Sequence, residues 1–545
     1  MKQINHQHAK QTKKLSIGRI ILYIIGAFIG LDIVGIIFIK LTQIPVVGDI
    51  LTIVFLLAIL YGVYVLFKKF KQKVINPIAG NFTSQTQSQT PNRTDFELNK
   101  AVQITNPYSG VFICGGAGSG KSKSIIEPII YDAGRKNFTG VIYDFKFPEL
   151  ARHVETAYQN SPVNRYYVNF SDLNTTNRIN PIAPEIMRNA SFAREFASSV
   201  LQNINPQSIS KPDFWSDNSQ TLLSAVFWYL REEQPRCCTL PHAISLITQG
   251  DTPALIKLLQ TNYQCADMVA PIATAIQSGA GNQLAGVVSS LQVSLNKINT
   301  PEVYYVTGQG NDFNLNLNDP DAPSILTIGN DPVLATTYGP VIGLMLTAIS
   351  KQLNQQGRDK SLILIDEFPT IFVPNIETIP ATARSNKVAT VLACQDITQI
   401  VDKYGREKAD TVLSNLGNQF YGRTTNPQTA QRVSQLFGKS DKLMQSDNTN
   451  YNRTLLGNRR SGSGESFSYQ EREIVKVQEV ATLETGSFYA ILSEGAVRMG
   501  KTSIPLNRAF IPSDLPQKRN VTDFDVKEVY HRIKRDIEGL ISGVQ

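Results

Sequence analysis

The residues of this chain with the clearest chemistry are the eight from Gly115 to Ser122, which read Gly-Gly-Ala-Gly-Ser-Gly-Lys-Ser. They match G-x-x-x-x-G-K-S, the pattern of a loop that binds the phosphates of a nucleoside triphosphate. The apolar run Val111–Cys114 precedes the loop and a helix-compatible run follows it, so the loop lies at a strand-to-helix turn, as the pattern requires. Glycines let the backbone amides of such a loop approach an anion closely.

We therefore predict that a nucleoside triphosphate and Mg²⁺ are the cofactors. Lys121 is expected to reach the β- and γ-phosphates, and the Ser122 hydroxyl to ligate Mg²⁺. The predicted nucleotide-binding residues are Gly115, Gly116, Ala117, Gly118, Ser119, Gly120, Lys121 and Ser122.

A second acidic motif follows downstream, where the apolar run from Ser361 to Ile365 ends in Asp366 and Glu367. A buried parallel strand delivers such residues to the carboxyl edge of a sheet. Asp366 is predicted to complete the Mg²⁺ site, and Glu367 to orient or deprotonate the attacking water.

Two further residues are candidates for catalysis. Gln395 follows the apolar strand Val388–Ala393 and is placed to touch the γ-phosphate or its water; an ordinary strand-end glutamine is the alternative. Arg384 lies on the short helix before that strand, poorly aimed at its own nucleotide but able to reach a neighbour's in a ring. For Arg384 the alternative is plain surface solvation.

Strands and helices alternate through the rest of the chain, which predicts an α/β fold: a P-loop NTPase (RecA-like) parallel sheet with helices on both faces. Between residues 185 and 305 the pattern is helical, and we predict an inserted all-α domain there, although helices that merely surround the sheet would give the same pattern. The nucleotide-binding domain then comprises 95–184 and 306–512, and 513–545 is a C-terminal tail helix, with its charged amphipathic pattern over 523–541.

The N-terminal region differs in composition from the rest. Residues 1–80 hold ten basic and two acidic residues, which accounts for the whole net charge of +8; the remainder carries 43 of each. Two apolar stretches, about 20–39 and 46–67, are each long enough to cross a bilayer, and lysines flank their outer ends. We predict a transmembrane hairpin over 1–75, a polar linker over 76–94, and both termini and the ATPase domain in the cytoplasm.

Because the net charge belongs to the membrane flank, a nucleic-acid surface must be argued from local clusters. Candidate DNA contacts combine arginine with aromatic or flexible neighbours, although ordinary exposed loops are the alternative. They are Arg423, Arg453, Arg459 and Arg460. The five cysteines show no metal-binding spacing and predict reduced structural thiols.

Taken together, these motifs resemble the coupling proteins of conjugative and type IV secretion systems, the TraG/TraD type of membrane-anchored ATPase. The likeness also includes Asp144-x-Lys146, Phe214-Trp215 and the segment from Ala393 to Gln399. The family usually follows its Asp-x-Lys with Gly-Glu, whereas Phe147-Pro148-Glu149 stands here, so the roles of Lys146 and Glu149 stay open.

The resemblance implies a homo-oligomer at the bacterial inner membrane, a hexameric ring with ATP as the nucleotide cofactor at the subunit interfaces. It also implies partners: single-stranded DNA with its bound relaxase, and the components of the type IV secretion channel. Two other functions stay open at this stage. One is a septal-type translocase of double-stranded DNA, for which too few residues follow Pro512; the other is a nucleotide-gated recruiter without motor activity.

Overall fold

The computed structural model describes residues 94–100, 102–211, 213–277, 281–453, 459–495, 498–506 and 508–542. The two predicted membrane spans and nearly all of the predicted linker lie outside these ranges. Among the helices that are described, none has the length and apolar character needed to cross a membrane.

A nine-stranded sheet organises the described ranges, and its strands are β3 (Val111–Cys114), β4 (Thr139–Asp144), β5 (Asn164–Val168), β6 (Ser324–Gly329), β7 (Ser361–Ile365), β8 (Val388–Cys394), β9 (Asn418–Tyr421), β12 (Ser487–Ile491) and β13 (Met499–Ser503). Their order across the sheet is β13-β12-β9-β3-β8-β7-β4-β6-β5. The seven strands from β9 to β5 are parallel, and β12 and β13 extend the sheet by antiparallel pairing.

Two smaller antiparallel pairs complete the strands. One joins β1 (Phe96–Glu97) to β2 (Gln103–Ile104), and the other is a long ribbon of β10 (Lys439–Arg453) and β11 (Arg459–Glu473).

The described helices fall into three groups, before, within and after the segment that separates β5 from β6. Before it are α1 (Glu127–Arg135), which continues a π-helical turn over Ser122–Ile126, and α2 (Glu149–Ala157). Within it are α3 (Ala190–Ile204), α4 (Gln207–Ser210), α5 (Phe214–Glu233), α6 (Leu240–Gln249), α7 (Thr252–Leu259), α8 (Tyr263–Gln277), α9 (Gly281–Asn296) and α10 (Pro301–Thr307). After it are α11 (Ala335–Leu353), α12 (Ile379–Thr382), α13 (Ile397–Tyr404), α14 (Arg406–Asn415), α15 (Pro427–Phe437), α16 (Val477–Ala481) and α17 (Asp523–Ser542).

The central strands are buried on both faces, which is why they are largely apolar. Alternate residues of β3 show this directly: Phe112 and Cys114 pack into one hydrophobic cluster, and Val111 and Ile113 into another. A parallel sheet covered on both faces has this composition. The predicted α/β fold is therefore confirmed as a mixed sheet that is mainly parallel.

The segment between β5 and β6 is helical from α3 to α10, and polar side chains cap several of its helices. Helix α5 begins with a capping box, in which the Ser216 amide donates to Asp213 and the Asp213 amide donates to the Ser216 hydroxyl. Helices α6 and α10 have simple N-caps, Thr239 and Thr300, whose hydroxyls accept backbone N–H groups. The sequence pattern and the side-chain caps thus both favour helices in this segment.

The chain after β13 runs back across both parts of the fold. Phe510 stacks on Tyr131 of α1, with ring centroids 3.7 Å apart. Helix α17 then packs its buried residues Val529, Ile533 and Ile537 against the core that includes α6 and α10. The C-terminal helix therefore belongs to the same packed body as the sheet and the helical segment.

Candidate functional site

Three loops meet at the carboxyl edge of the sheet and line most of a cavity of about 300 Å³. The phosphate loop follows β3, the acidic pair follows β7, and Gln395 follows β8, which lies between those two strands. Because parallel strands end at the same edge, three distant segments of sequence converge there. The lining residues are Gly116, Ala117, Gly118, Ser119, Gly120, Lys121, Ser122, Lys123, Lys146, Glu149, Asp366, Glu367, Gln395, Thr485 and Leu506.

The phosphate loop has the backbone that its glycines permit. Gly118 and Gly120 have positive φ, at 71° and 98°, a region that residues with a Cβ rarely adopt. At Gly120 a Cβ would also lie only 2.9 Å from the backbone nitrogen of Gly486. The loop is therefore held in a conformation that other residues would not allow.

Lys121 and Glu367 form the buried charged pair of the site. Lys121 is 7% exposed and donates a hydrogen bond to the carbonyl of Gly115, and its Nζ lies 4.0 Å from Glu367 Oε1. The same carboxylate oxygen accepts a hydrogen bond from the Gln395 amide at 3.1 Å. Glu367 is thus held from two sides and is only 8% exposed.

The backbone at Glu367 is strained, with a left-handed φ of 50°. Hydrogen bonds to its own carbonyl maintain this turn, because the amide and the hydroxyl of Thr370 both donate to it. The Thr370 hydroxyl is in turn 3.0 Å from that of Tyr143, which accepts from Asn330 at 2.9 Å. This buried network fixes the position of Glu367 at the end of β7.

Burial, with a further contribution from the neighbouring Glu367 carboxylate and against the opposing charge of Lys121, raises the pKa of Asp366 to about 7. A carboxylate that is costly to ionise alone is suited to a cation, which would remove that cost. Ser122 and Asp366 both line the cavity and supply the oxygen ligands that Mg²⁺ prefers. The residues present therefore fit a magnesium nucleotide.

Asp144, at the end of β4, is fully buried behind this site. Its Oδ2 accepts from the amides of Leu150 (2.8 Å) and Ala151 (3.0 Å), while its Oδ1 has no partner among the described residues. Burial raises the pKa of Asp144 to about 7, and the charge of Asp366 contributes. Asp144 thus orients the first turn of α2, which carries Glu149 into the cavity lining.

We expect Asp144→Asn to stabilise the protein above neutral pH. Between about pH 4 and pH 7 folded Asp144 keeps a proton that the unfolded chain has released, so its contribution to the free energy of unfolding falls as the pH rises. Asparagine can accept hydrogen bonds from the same two amides and has no charge to bury. The free energy of unfolding at pH 8, without nucleotide, should therefore be roughly 1–3 kcal/mol higher in the variant. Urea unfolding at pH 5 and pH 8 measures this; a variant that is less stable at pH 8 would contradict it.

Arg384 lies at the opposite edge of the sheet from the cavity. It precedes β8 whereas Gln395 follows it, and a strand of that length spans about 20 Å. Its side chain is 58% exposed and its guanidinium is 3.8 Å from Glu494. Arg384 therefore does not reach the nucleotide cavity of its own subunit.

The candidate DNA contacts lie in two different places. Arg423 follows β9 and touches the phosphate loop, whereas Arg453, Arg459 and Arg460 lie at the outer end of the β10–β11 ribbon. In the ribbon, Arg453 pairs with Arg459 and Asn452 with Arg460. The structure thus separates one arginine from the other three.

Thr485 and Leu506 were not predicted to lie at the site. The Thr485 hydroxyl donates to the carbonyl of Gly118 at 2.9 Å, and the Gly486 amide donates to that of Ser119 at 2.9 Å. Thr485 lies just before β12, and Leu506 lies just after β13. They carry no motif, so only the three-dimensional arrangement identifies them.

The fold and the site together define a P-loop NTPase, with a phosphate loop, an acidic strand end and a glutamine on the strand between them. A sequence profile of the family described as type IV secretory system conjugative DNA transfer matches residues 69–501. The chain belongs to this family, which confirms the resemblance carried by its motifs.

Solved structures of a conjugative coupling protein share this fold. The plasmid coupling protein TrwB in complex with ADP and Mg²⁺ has a TM-score of 0.59 at 16% identity, over 81% of this chain and 95% of that one. TrwB with the GTP analogue GDPNP has a TM-score of 0.59 at 15% identity, over 82% and 99%. An unbound form of TrwB lacking its N-terminal region has a TM-score of 0.56 at 16% identity, over 80% and 92%. Among curated protein sequences, no match is found.

Proposed function

We propose that this chain is a membrane-anchored ring ATPase that couples a relaxase–DNA complex to a type IV secretion channel and drives or gates the transfer of single-stranded DNA. The observation that carries the proposal is the placement of Glu367 between Lys121 and Gln395 in a chain of the conjugative DNA transfer family. Its hydrolytic residues are complete, so nucleotide turnover is available to power or time the transfer.

ATP with Mg²⁺ is the proposed nucleotide, as in the TrwB complex with ADP and Mg²⁺. The loop amides and Lys121 would bind the phosphates, and Ser122 and Asp366 would hold the cation. Bound Mg²⁺ supplies charge neutralisation to the phosphates. Glu367 accepts the proton of the attacking water, and its hydrogen bond from Gln395 keeps the receiving oxygen in place.

A ring of subunits, a hexamer by the family resemblance, is part of the proposal. Arg384 supports it, because an exposed arginine about 20 Å from its own phosphate loop has a catalytic use only at a neighbour's nucleotide. The two apolar stretches near the N-terminus support inner-membrane anchoring, with the ATPase body on the cytoplasmic side.

We propose that DNA is contacted by the outer end of the ribbon. From residue 449 to residue 463 the chain has three arginines and no acidic residue, whereas the rest of the two strands carries five acidic and three basic residues. A positively charged end on a two-stranded ribbon suits binding to the phosphate backbone of DNA. Such binding does not depend on the DNA sequence.

Replacing Arg453, Arg459 and Arg460 together with alanine should weaken DNA binding in a salt-dependent way. Each lost phosphate contact lowers the slope of log K against log salt by about 0.7 for a single strand, so the slope should fall by roughly 2. Fluorescence anisotropy over a salt series measures it, with Arg472→Ala on the ribbon's inner half as the matched control. An unchanged slope would remove these three residues from the interface.

The test of the proposed function is ATP hydrolysis by the full-length protein, in detergent or vesicles, with and without DNA. Single-stranded DNA should stimulate hydrolysis several-fold, and Lys121→Ala should abolish hydrolysis and conjugative transfer. Stimulation by double-stranded DNA alone would favour a septal-type translocase. If Lys121→Ala and Glu367→Gln both leave relaxase capture and transfer intact, the chain is a recruiter and not a motor.

A further inference from the structure

Arg423 touches the phosphate loop at two points. It follows β9, the strand that pairs with β3 on the side away from β8. Its carbonyl accepts a hydrogen bond from the Gly116 amide at 2.7 Å. Its guanidinium Nη2 lies 3.6 Å from the position that a Cβ on Gly118 would occupy. Backbone and side chain of one residue therefore both lie against the phosphate loop.

A close approach of two backbones holds Arg423 in this position. A Cβ on Gly422 would lie 3.2 Å from Cβ of Ser119, and a Cβ on Gly115 would lie 3.3 Å from Cα of Gly422. The Gly422 amide also donates to the carbonyl of Cys114 at 2.7 Å. The segment that carries Arg423 is thus packed directly against the beginning of the loop.

Arg423 is a half-buried residue, and within the described ranges no carboxylate lies within ion-pair distance of its guanidinium. Most partly buried arginines of the described body are paired, as Arg178 and Arg519 are with Asp312. A half-buried cation without a counter-ion is costly unless an anion is bound near it. The anion that this loop is built to bind is a nucleotide phosphate.

We propose that Arg423 is a positioning residue of the nucleotide site: its carbonyl holds the loop, and its guanidinium adds positive charge that favours a bound triphosphate. This inference rests on nucleotide binding, the first element of the proposed function, and replaces the sequence-based prediction of a DNA contact for Arg423. The three ribbon arginines keep the DNA role. Since the field of the guanidinium acts on the total phosphate charge, its loss should weaken a triphosphate more than a diphosphate.

The test compares Arg423→Ala, Arg423→Lys and a control, Arg194→Ala on the exposed face of α3, in the full-length protein. Titration with fluorescent ADPNP and ADP gives both dissociation constants. We expect Arg423→Ala to weaken ADPNP binding roughly ten-fold and ADP binding by less, Arg423→Lys to regain most of the loss, and Arg194→Ala to match the unaltered protein.

Binding of single-stranded DNA at saturating ADPNP separates this proposal from the proposed function. The expected result is unchanged DNA affinity in Arg423→Ala. If Arg423→Ala binds nucleotide normally but binds DNA more weakly, Arg423 belongs to the DNA surface. If it binds both normally, Arg423 is an ordinary surface residue. Either result overturns the proposal. If Arg423→Ala unfolds at a lower temperature, Arg423→Lys is the deciding variant. A purely structural role of Arg423 predicts that its replacement weakens ADPNP and ADP by the same factor. If the unaltered protein binds no DNA, the function fails while the nucleotide result still stands.

Discussion

Replacing Glu367 with glutamine is expected to lower ATP hydrolysis by roughly 10²- to 10⁴-fold while nucleotide binding is retained. The Glu367 carboxylate is buried, lies 4.0 Å from Lys121 Nζ, and accepts a hydrogen bond from the side-chain amide of Gln395. Glutamine has nearly the same shape and can still accept that hydrogen bond, but it cannot take a proton from water. The loss should therefore appear in kcat and not in the affinity for ATP.

Single-turnover hydrolysis and equilibrium binding of ADPNP separate these two effects for Glu367→Gln. The matched control is Glu528→Gln, the same chemical change at an exposed position of α17. Hydrolysis at the unaltered rate in Glu367→Gln would show that another group receives the proton. A variant that binds no ADPNP would instead assign Glu367 to the architecture of the site, because Lys121 would then have lost its partner.

The site was predictable from sequence because its residues follow buried parallel strands. Such strands are largely apolar, so the runs that end at Cys114, Ile365 and Cys394 are recognisable without any periodicity. The residue after each strand then lies at one edge of the sheet by topology alone. The contact between Gln395 and Glu367 follows from this arrangement, although no pattern in the sequence gives their distance.

The strands beyond residue 418 were not predictable in the same way. The ribbon is rich in serine, asparagine and glycine, which have low strand propensity, so its sequence looks like a flexible loop. Its order comes from cross-strand pairing over fifteen positions, which is a property of two segments together. Thr485 contacts the phosphate loop only because β12 pairs with β9, a long-range pairing that no local signal encodes.

The C-terminal helix shows the same division between local and long-range information. Its amphipathic pattern predicts a helix over residues 523–541, and the structure has it over Asp523–Ser542. The surface that covers its apolar face was not predictable, because any exposed apolar groove would satisfy the pattern. In the structure Tyr530 packs on Tyr304 with ring centroids 4.7 Å apart, which ties the tail to α10.

Arg384→Ala is expected to lower hydrolysis by roughly 10³-fold or more in the assembled protein. The residue is exposed, and its contact with Glu494 at 3.8 Å is a surface pair that adds little to stability. Its removal should therefore leave folding, assembly and ADPNP binding unchanged. Steady-state hydrolysis with thermal unfolding as the control measures this, and Arg384→Lys should recover only part of the rate, because lysine lacks the planar fork of donors.

Mixing two inactive variants decides whether Arg384 acts across a subunit interface. In a ring formed from Lys121→Ala and Arg384→Ala subunits, some interfaces place the intact phosphate loop of one subunit against the intact arginine of its neighbour. Those interfaces should hydrolyse ATP, so the mixture should regain activity that neither variant has alone. If Arg384 acted within its own subunit, each chain would carry one defect and no mixture would recover. Because β8 separates Arg384 from the nucleotide cavity of its own chain by about 20 Å, recovery is the expected result.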